Sequence, residues 1–181
     1  MPNKYMWLIV ALGIIFIMLF GNKKVRVFSV FIKQIQVFKN AKTGNFSLWD
    51  FVCFLLMPIG LAFIMTFELE AVIDGELAGT LTTVFSLIFT ILFGFAAILI
   101  GKLDSKNAIE KQVVEETFVS IVSATLLSLL SAILSIIIIK VNKTAVLSIF
   151  SLIVFFLSFV TVMLLLLIIK RTFIIYCDSK R

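Results

Sequence analysis

Residues 77–101 read LAGTLTTVFSLIFTILFGFAAILIG and contain no charged side chain. A helix needs about 20 consecutive apolar residues to cross the hydrocarbon core of a bilayer, and this run is long enough. Similar runs lie at residues 48–67, 117–139 and 144–169, and a shorter one lies at 5–21. We interpret the shorter run as a retained first span, with cleavage as a signal peptide as the alternative. The sequence therefore predicts an all-α bundle of about five transmembrane helices.

The composition supports a membrane location for the whole chain. Of the 181 residues, 62% are hydrophobic and 14% are charged, whereas a soluble domain is about 45–50% apolar and about 25% charged. This balance excludes a secreted disulfide scaffold, a disordered tail and an ordinary cytosolic enzyme. We expect residues 1–181 to form a single integral membrane domain with the lipid bilayer as its main partner.

The distribution of positive charge predicts the orientation. Most of the 16 Lys and Arg residues fall in the connections on one side of a five-span topology, and residues 68–76 contain none. The positive-inside rule then places the N-terminus outside and the C-terminus in the cytoplasm. We expect a multi-pass protein of the cell inner (plasma) membrane.

The longest polar connection is basic and has helical periodicity. Phe28, Phe31, Ile35 and Phe38 recur at helical spacing, which predicts an amphipathic helix over about residues 24–40, lying in the membrane interface. The alternative is a cytoplasmic surface that binds an anionic ligand or a regulatory partner. In a membrane protein the positive charge of such a connection first indicates the orientation of the chain. It neither predicts nor excludes nucleic acid as a binding partner. The basic surface comprises Lys23, Lys24, Arg26, Lys33, Lys39 and Lys42.

The connection between the second and third spans is acidic. Glu68, Glu70, Asp74 and Glu76 lie within nine residues. One interpretation is a short hydrophilic hairpin outside the membrane. The other is an anionic ring, repeated around a symmetric oligomer, that concentrates cations at a pore mouth.

Three spans carry a narrow stripe of small and hydroxyl residues. With about 100° of rotation per residue, each stripe falls on one face of its helix. Such residues let membrane helices approach closely, or they provide polar walls for a pore. Because three stripes exceed what one protomer needs, they favour self-association. The stripes are Gly79, Thr83, Ser86, Thr90, Gly94, Ala97 and Gly101 in the third span, Thr117, Ser120, Ala124, Ser128, Ser131 and Ser135 in the fourth, and Thr144, Ser148, Ser151 and Ser158 in the fifth.

Two local features predict departures from simple spans. Pro58 lies in the middle of the second span and is followed by Gly60, which predicts a bend there. Residues 102–116 are short and mixed in sign, which is typical of a solvated linker. The alternative is that the fourth span continues inward as a stalk, because Lys106 with Glu110 and Lys111 with Glu115 have the i,i+4 spacing that favours a helix.

The residues that are missing exclude most catalytic classes. The sequence contains no His, and none of the five apolar runs holds an acidic or basic residue at its centre, as coupled transporters and intramembrane proteases require. No metal-ligating or nucleotide-binding motif occurs. We therefore expect no enzymatic activity, no cofactor and no metal.

These observations favour a small homo-oligomeric channel or pore-forming subunit, cation-favouring if the acidic hairpin forms the mouth. The alternative is a non-conducting accessory or anchor subunit that packs against the membrane helices of a larger complex. No motif is diagnostic of a family. In size, lack of catalytic groups and basic cytoplasmic face, the chain resembles small membrane effectors of bacterial stress or phage-defence (antiviral) operons, a resemblance of architecture alone.

Overall fold

The computed structural model describes residues 10, 13, 14, 17, 27–37, 48–101, 108–140 and 144–178. Every regular element in these residues is helical, which confirms the all-α fold. Four of the helices are long and apolar enough to cross a membrane. The elements are α1 (Val27–Val37), α2 (Leu48–Glu68), α3 (Gly75–Ile100), α4 (Ala108–Ile138) and α5 (Thr144–Asp178).

The predicted first span, residues 5–21, lies mostly outside the described residues. Val10, Gly13, Ile14 and Ile17 are helical and exposed, and the existence of this span stays a prediction. The predicted helix over about residues 24–40 is confirmed for Val27–Val37. Its location in the membrane interface stays a prediction.

The four candidate spans form a row rather than a closed ring. Helix α4 packs against both α3 and α5, and α2 packs against α5. Among the described elements, α3 contacts only α4, and α1 lies across α4. Helices α3 and α2 are therefore the two edges of the row. We call the end that carries the 69–74 loop the outer end, following the predicted orientation, and the opposite end the inner end.

Helix α2 is irregular on both sides of Pro58. Its α-helical parts, Leu48–Phe51 and Met57–Phe63, alternate with π-helical turns at Val52–Leu56 and Ile64–Glu68. The N–H of Met57 donates to the carbonyl oxygen of Val52, five residues back. Proline has no N–H to donate, and the structure changes its hydrogen-bond register immediately before it. The π-helical turns lie on both sides of Pro58, and the predicted bend itself stays a prediction.

The edge helix α3 has one buried face. Ala78, Phe85, Leu92 and Leu99 are buried and follow one another at seven-residue intervals, so they lie on one side of the helix, against α4. Asp74 caps the N-terminus of α3, because its Oδ1 accepts a hydrogen bond from the N–H of Leu77 at 2.8 Å. Helix α3 ends at Ile100, before Gly101.

Helix α4 is the centre of the row and is the most buried of the candidate spans. It begins at Ala108, so residues 108–116 continue the fourth span as a helix and do not form a linker. That this end of the helix faces inward stays a prediction. Its serine stripe is completely buried, with Ser120, Ser128, Ser131 and Ser135 all at 0% exposure. The small side chains allow α3 and α5 to approach the axis of α4.

The buried hydroxyls of α4 are paired mainly within their own helix. Ser120 donates to the carbonyl oxygen of Glu116 at 3.0 Å, Ser128 to that of Thr125 at 2.8 Å and Ser131 to that of Leu127 at 2.9 Å. This pairing allows a polar face to be buried without water. The α4 stripe therefore serves packing inside one protomer.

We expect Ser128→Leu to destabilise the protomer by about 1–3 kcal/mol, because a leucine at a fully buried position overpacks the contact. Leu129→Ile is the matched control, since Leu129 is the next residue and is 38% exposed. The measurement is the free energy of unfolding by denaturant titration in detergent micelles. Equal stability of the two variants would show that the α4 stripe is not a tight contact.

Candidate functional site

The stripe of the edge helix α3 faces away from the protomer. Its members are Thr83, Ser86, Thr90 and Gly94, which we call the α3 stripe, and all four are exposed. They lie opposite the buried face formed by residues such as Phe85. The side chains of α3 beside the stripe, including Leu87 and Ile91, are large and apolar.

No contact among the described residues explains the small residues of the α3 stripe. A Cβ atom added at Gly94 would meet nothing within 4 Å, although an interior helical glycine costs about 1 kcal/mol relative to alanine. Thr83 donates to the carbonyl oxygen of Gly79 at 3.1 Å, and Thr90 to that of Ser86 at 2.9 Å. Both hydroxyls therefore donate to carbonyl oxygens of their own helix, and their oxygen atoms can still accept a hydrogen bond. The stripe is suited to a contact with a helix outside the described part of the protomer.

The two other predicted stripes lie differently. The α4 stripe is buried between helices, and in the fifth span Ser151 is also buried. The Ser151 Oγ accepts a hydrogen bond from the backbone N–H of Ile73 at 3.0 Å, which ties the 69–74 loop to α5. Only the α3 stripe, among these three, is left on the outside of the described protomer.

The four acidic residues of the outer end are all exposed. Glu68 ends α2, Glu70 lies in the loop, and Asp74 and Glu76 begin α3. Asp74 also caps α3, so the structure gives one of the four carboxylates a structural role. Glu70 has a φ of 49°, in the left-handed region that a residue with a side chain rarely adopts. The buried Ile73 and its bond to Ser151 hold this acidic loop in place.

The inner end contains an ion pair between α4 and α5. Arg171 Nη2 lies 3.1 Å from Glu116 Oε2, with side-chain exposures of 16% and 29%. Gln112 donates to the other carboxylate oxygen of Glu116 at 3.0 Å, and Arg171 donates to Ser120 Oγ at 3.4 Å. Asp50, near the start of α2, adds a second negative charge that acts on Arg171. Together these groups form a polar network that joins three helices.

A cavity of about 690 Å³ lies beside this network, between α1 and α4. Lys33 and Gln36 of α1 face Lys111, Glu115 and Glu116 of α4 across it. The cavity therefore presents both charge signs, rather than the purely basic surface that the sequence predicts for an anionic ligand. Of the predicted basic surface, Lys33 is described, and Lys23, Lys24, Arg26, Lys39 and Lys42 lie outside the described residues.

Sequence reasoning missed Arg171. It placed this residue in a tail beyond a fifth span ending at 169, whereas α5 continues to Asp178. The apolar residues at 173–176 could have predicted that the fifth helix includes Arg171, because they continue the hydrophobic pattern beyond this residue. The candidate spans Lys111–Ile138 and Val146–Ile174 include Glu116 and Arg171 near their ends, so the ion pair does not contradict the expectation that no span holds a charged residue at its centre.

Sequence reasoning also missed Gln34 of α1. The predicted apolar stripe is not the most buried side of this helix, because Gln34 is 6% exposed and Ile35 is 49% exposed. Gln34 follows Phe31 by three residues, which puts it about 60° away around the helix. A helical projection of α1 therefore places Gln34 at the border of the apolar stripe, and this position could have predicted its burial.

Comparison with known proteins identifies no relative. The chain matches no family model, no curated protein and no solved structure.

We expect Glu116 and Arg171 to be energetically coupled by about 1–3 kcal/mol, because removing one partner leaves the other charge partly buried and unpaired. The measurement is a double-mutant cycle of Glu116→Gln and Arg171→Gln, read as the free energy of unfolding in micelles. The control cycle uses Lys111→Gln and Glu115→Gln, two exposed residues of α4, for which about 0.5 kcal/mol or less is expected. Coupling at Arg171 no larger than the control would contradict a structural role for the ion pair.

Proposed function

We propose that this protein is a small homo-oligomeric membrane channel subunit. The observation that carries the proposal is the α3 stripe, a line of small and hydroxyl residues on the exposed side of an edge helix. Large apolar residues suit a helix face that meets lipid chains, whereas small residues favour close contact with another helix. The partner that a symmetric assembly supplies is a second copy of this chain.

The exposed position of the stripe supports α3 as the helix that faces the path. The described serines of α4 are buried between helices, so they have no open side toward a solute. The Thr83 and Thr90 oxygens can each accept another hydrogen bond, from water or from a neighbouring protomer. In our proposal the α3 helices of several protomers surround the path, and α4 holds each protomer together.

The acidic residues at the outer end support a preference for cations. Glu76 lies in the first turn of α3, about two helical turns from Thr83, and is exposed. In an oligomer built through α3, the Glu76 carboxylates of all protomers would stand near one opening. A ring of carboxylates raises the local concentration of cations. The use of such a channel as an effector in bacterial stress or phage defence belongs to the same proposal.

A non-conducting accessory or anchor subunit is the second candidate. It is favoured by the burial of the α4 serines between helices, because this leaves no polar path through the centre of the described protomer. In that case the α3 stripe contacts a helix of a different protein. The two candidates differ in whether the purified chain assembles with itself and conducts.

We expect Ser86→Leu and Gly94→Leu to leave the protomer folded and to weaken self-association. Each added side chain would separate the α3 helices, and interhelical contacts of this kind are worth about 1–2 kcal/mol, or about tenfold in the association constant. The measurements are the oligomeric state in detergent and ion flux after reconstitution into vesicles.

Val84→Leu is the matched control for these variants. Val84 is exposed on α3, about 140° around the helix from Ser86 and Thr90 on average, so the same new side chain should leave assembly and flux unchanged. A parent protein that is an oligomer without flux would support the accessory subunit. Equal assembly of all three variants would remove the α3 stripe from the proposal.

We expect Glu70→Gln with Glu76→Gln to reduce cation conductance most strongly at low ionic strength. Screening lengths are about 30 Å at 0.01 M salt and about 3 Å at 1 M, so the effect of the lost charges should shrink as salt is added. Glutamine keeps the side-chain volume and hydrogen-bonding capacity, and folding should survive. The measurement is conductance and reversal potential in planar bilayers. Anion selectivity of the parent protein would contradict an acidic cation-collecting mouth.

A further inference from the structure

A second cavity, of about 290 Å³, lies where α1, α2, α4 and α5 meet. We call it the apolar cavity, because its accessible wall is carbon. Phe31 of α1, Phe54 of α2, Leu127 of α4 and Phe156 of α5 contribute to this wall. No charged residue lines the cavity.

Two polar residues also line the apolar cavity. Gln34 of α1 is 6% exposed and Ser123 of α4 is 0% exposed. Within the described part of the chain, the Gln34 Oε1 and Nε2 atoms and the Ser123 Oγ atom have no hydrogen-bond partner. Ser128 and Ser131 of the same helix do have partners, whereas Thr66 and Ser135 are also without one but do not line this cavity. Roughly 90% or more of buried polar groups in proteins are paired, so these two neighbouring groups need an explanation.

We propose that the apolar cavity binds an uncharged amphiphile, with an apolar body and a single hydroxyl or amide end that pairs with Gln34 and Ser123. Ligand sites are typically apolar with a few polar groups that fix the orientation. A cavity of about 150 Å³ is known to hold benzene, so this one takes a body about twice as large. A neutral ligand is required, because an unpaired charge in such a site is very costly.

The ligand reaches this site from the apolar surroundings of the protein. Ile35 and Leu55 line the cavity and are also exposed on the outside, at 49% and 38%. The side chain of Gln34 has three rotatable bonds, which let its amide turn toward the polar end of the ligand. The bound molecule contacts α1 and α4 together. This site is separate from the α3 stripe and does not depend on the proposed channel function.

The experiment uses a photoreactive 1-decanol with a diazirine on its chain, added to the purified full-length protein in detergent. Mass spectrometry maps the labelled residues, and unlabelled 1-decanol and decane compete for the site. We expect saturable labelling in the cavity wall. Decanol should displace the probe at about one tenth of the decane concentration, as one net hydrogen bond predicts.

Gln34→Leu should remove the preference for decanol and keep displacement by decane, since leucine keeps an apolar wall. Its thermal stability should equal or exceed that of the parent, because a buried amide without a partner is removed. Ser123→Ala provides the same test if Gln34→Leu does not fold. Leu157→Trp, at a buried residue of the wall, should abolish labelling, whereas Leu129→Trp on a different part of α4 should not.

Three results would overturn the proposal. Labelling that does not saturate would show that the probe samples only the detergent. Equal displacement by decanol and decane in the parent protein would show that the site makes no hydrogen bond to the hydroxyl group of the ligand. A preference for decanol that survives both Gln34→Leu and Ser123→Ala would place the hydrogen bond elsewhere.

Discussion

The structure depends on one constraint, the pairing of hydroxyl groups inside helix α4. In the hydrocarbon region of a membrane no water is present to satisfy a polar group, yet Ser120, Ser128 and Ser131 are completely buried. Each donates to a carbonyl oxygen of its own helix. Because these bonds are local, the serines need nothing from α3 or α5 except room. The buried face of α4 can therefore be narrow, and two neighbouring helices pack on it with apolar side chains such as Leu92 and Val154.

The central position of α4 leaves α3 at an edge of the row. An edge helix needs only one apolar face inside the protomer, and the seven-residue spacing from Ala78 to Leu99 supplies it. The composition of the other faces of α3 is then not set by packing inside the described protomer. Its exposed side combines large apolar residues such as Ile91 with the small residues around Gly94. A helix that only met lipid would gain nothing from these small residues, which is why we connect the α3 stripe with assembly.

The number, type and approximate limits of the described spans could be predicted, because an uninterrupted apolar run of about 20 residues has few other uses. The role of each stripe could not. Helical spacing shows that Thr90 and Ser128 each belong to a small-residue face, but the spacing is the same for a face turned inward and for one turned outward. Only the order α3–α4–α5–α2 in the row distinguishes them, and this order comes from long-range packing. Arg171 escaped prediction for a related reason, since its partner Glu116 is far away in sequence.

The two ends of the row are held together by different chemistry. At the outer end a neutral hydrogen bond from Ile73 to Ser151 fixes the loop, and it does not depend on salt or pH in the physiological range. At the inner end the fixed element is the charged network around Arg171, beside a cavity that α1 shares with α4. Among the described elements, α1 packs on α4, and Gln34 is the most buried of the α1 side chains that the structure describes. Phe31 of the same helix packs against the apolar core beside it. The contact of α1 with α4 therefore combines an apolar side chain with a buried amide that stabilises the contact only if another group pairs with it.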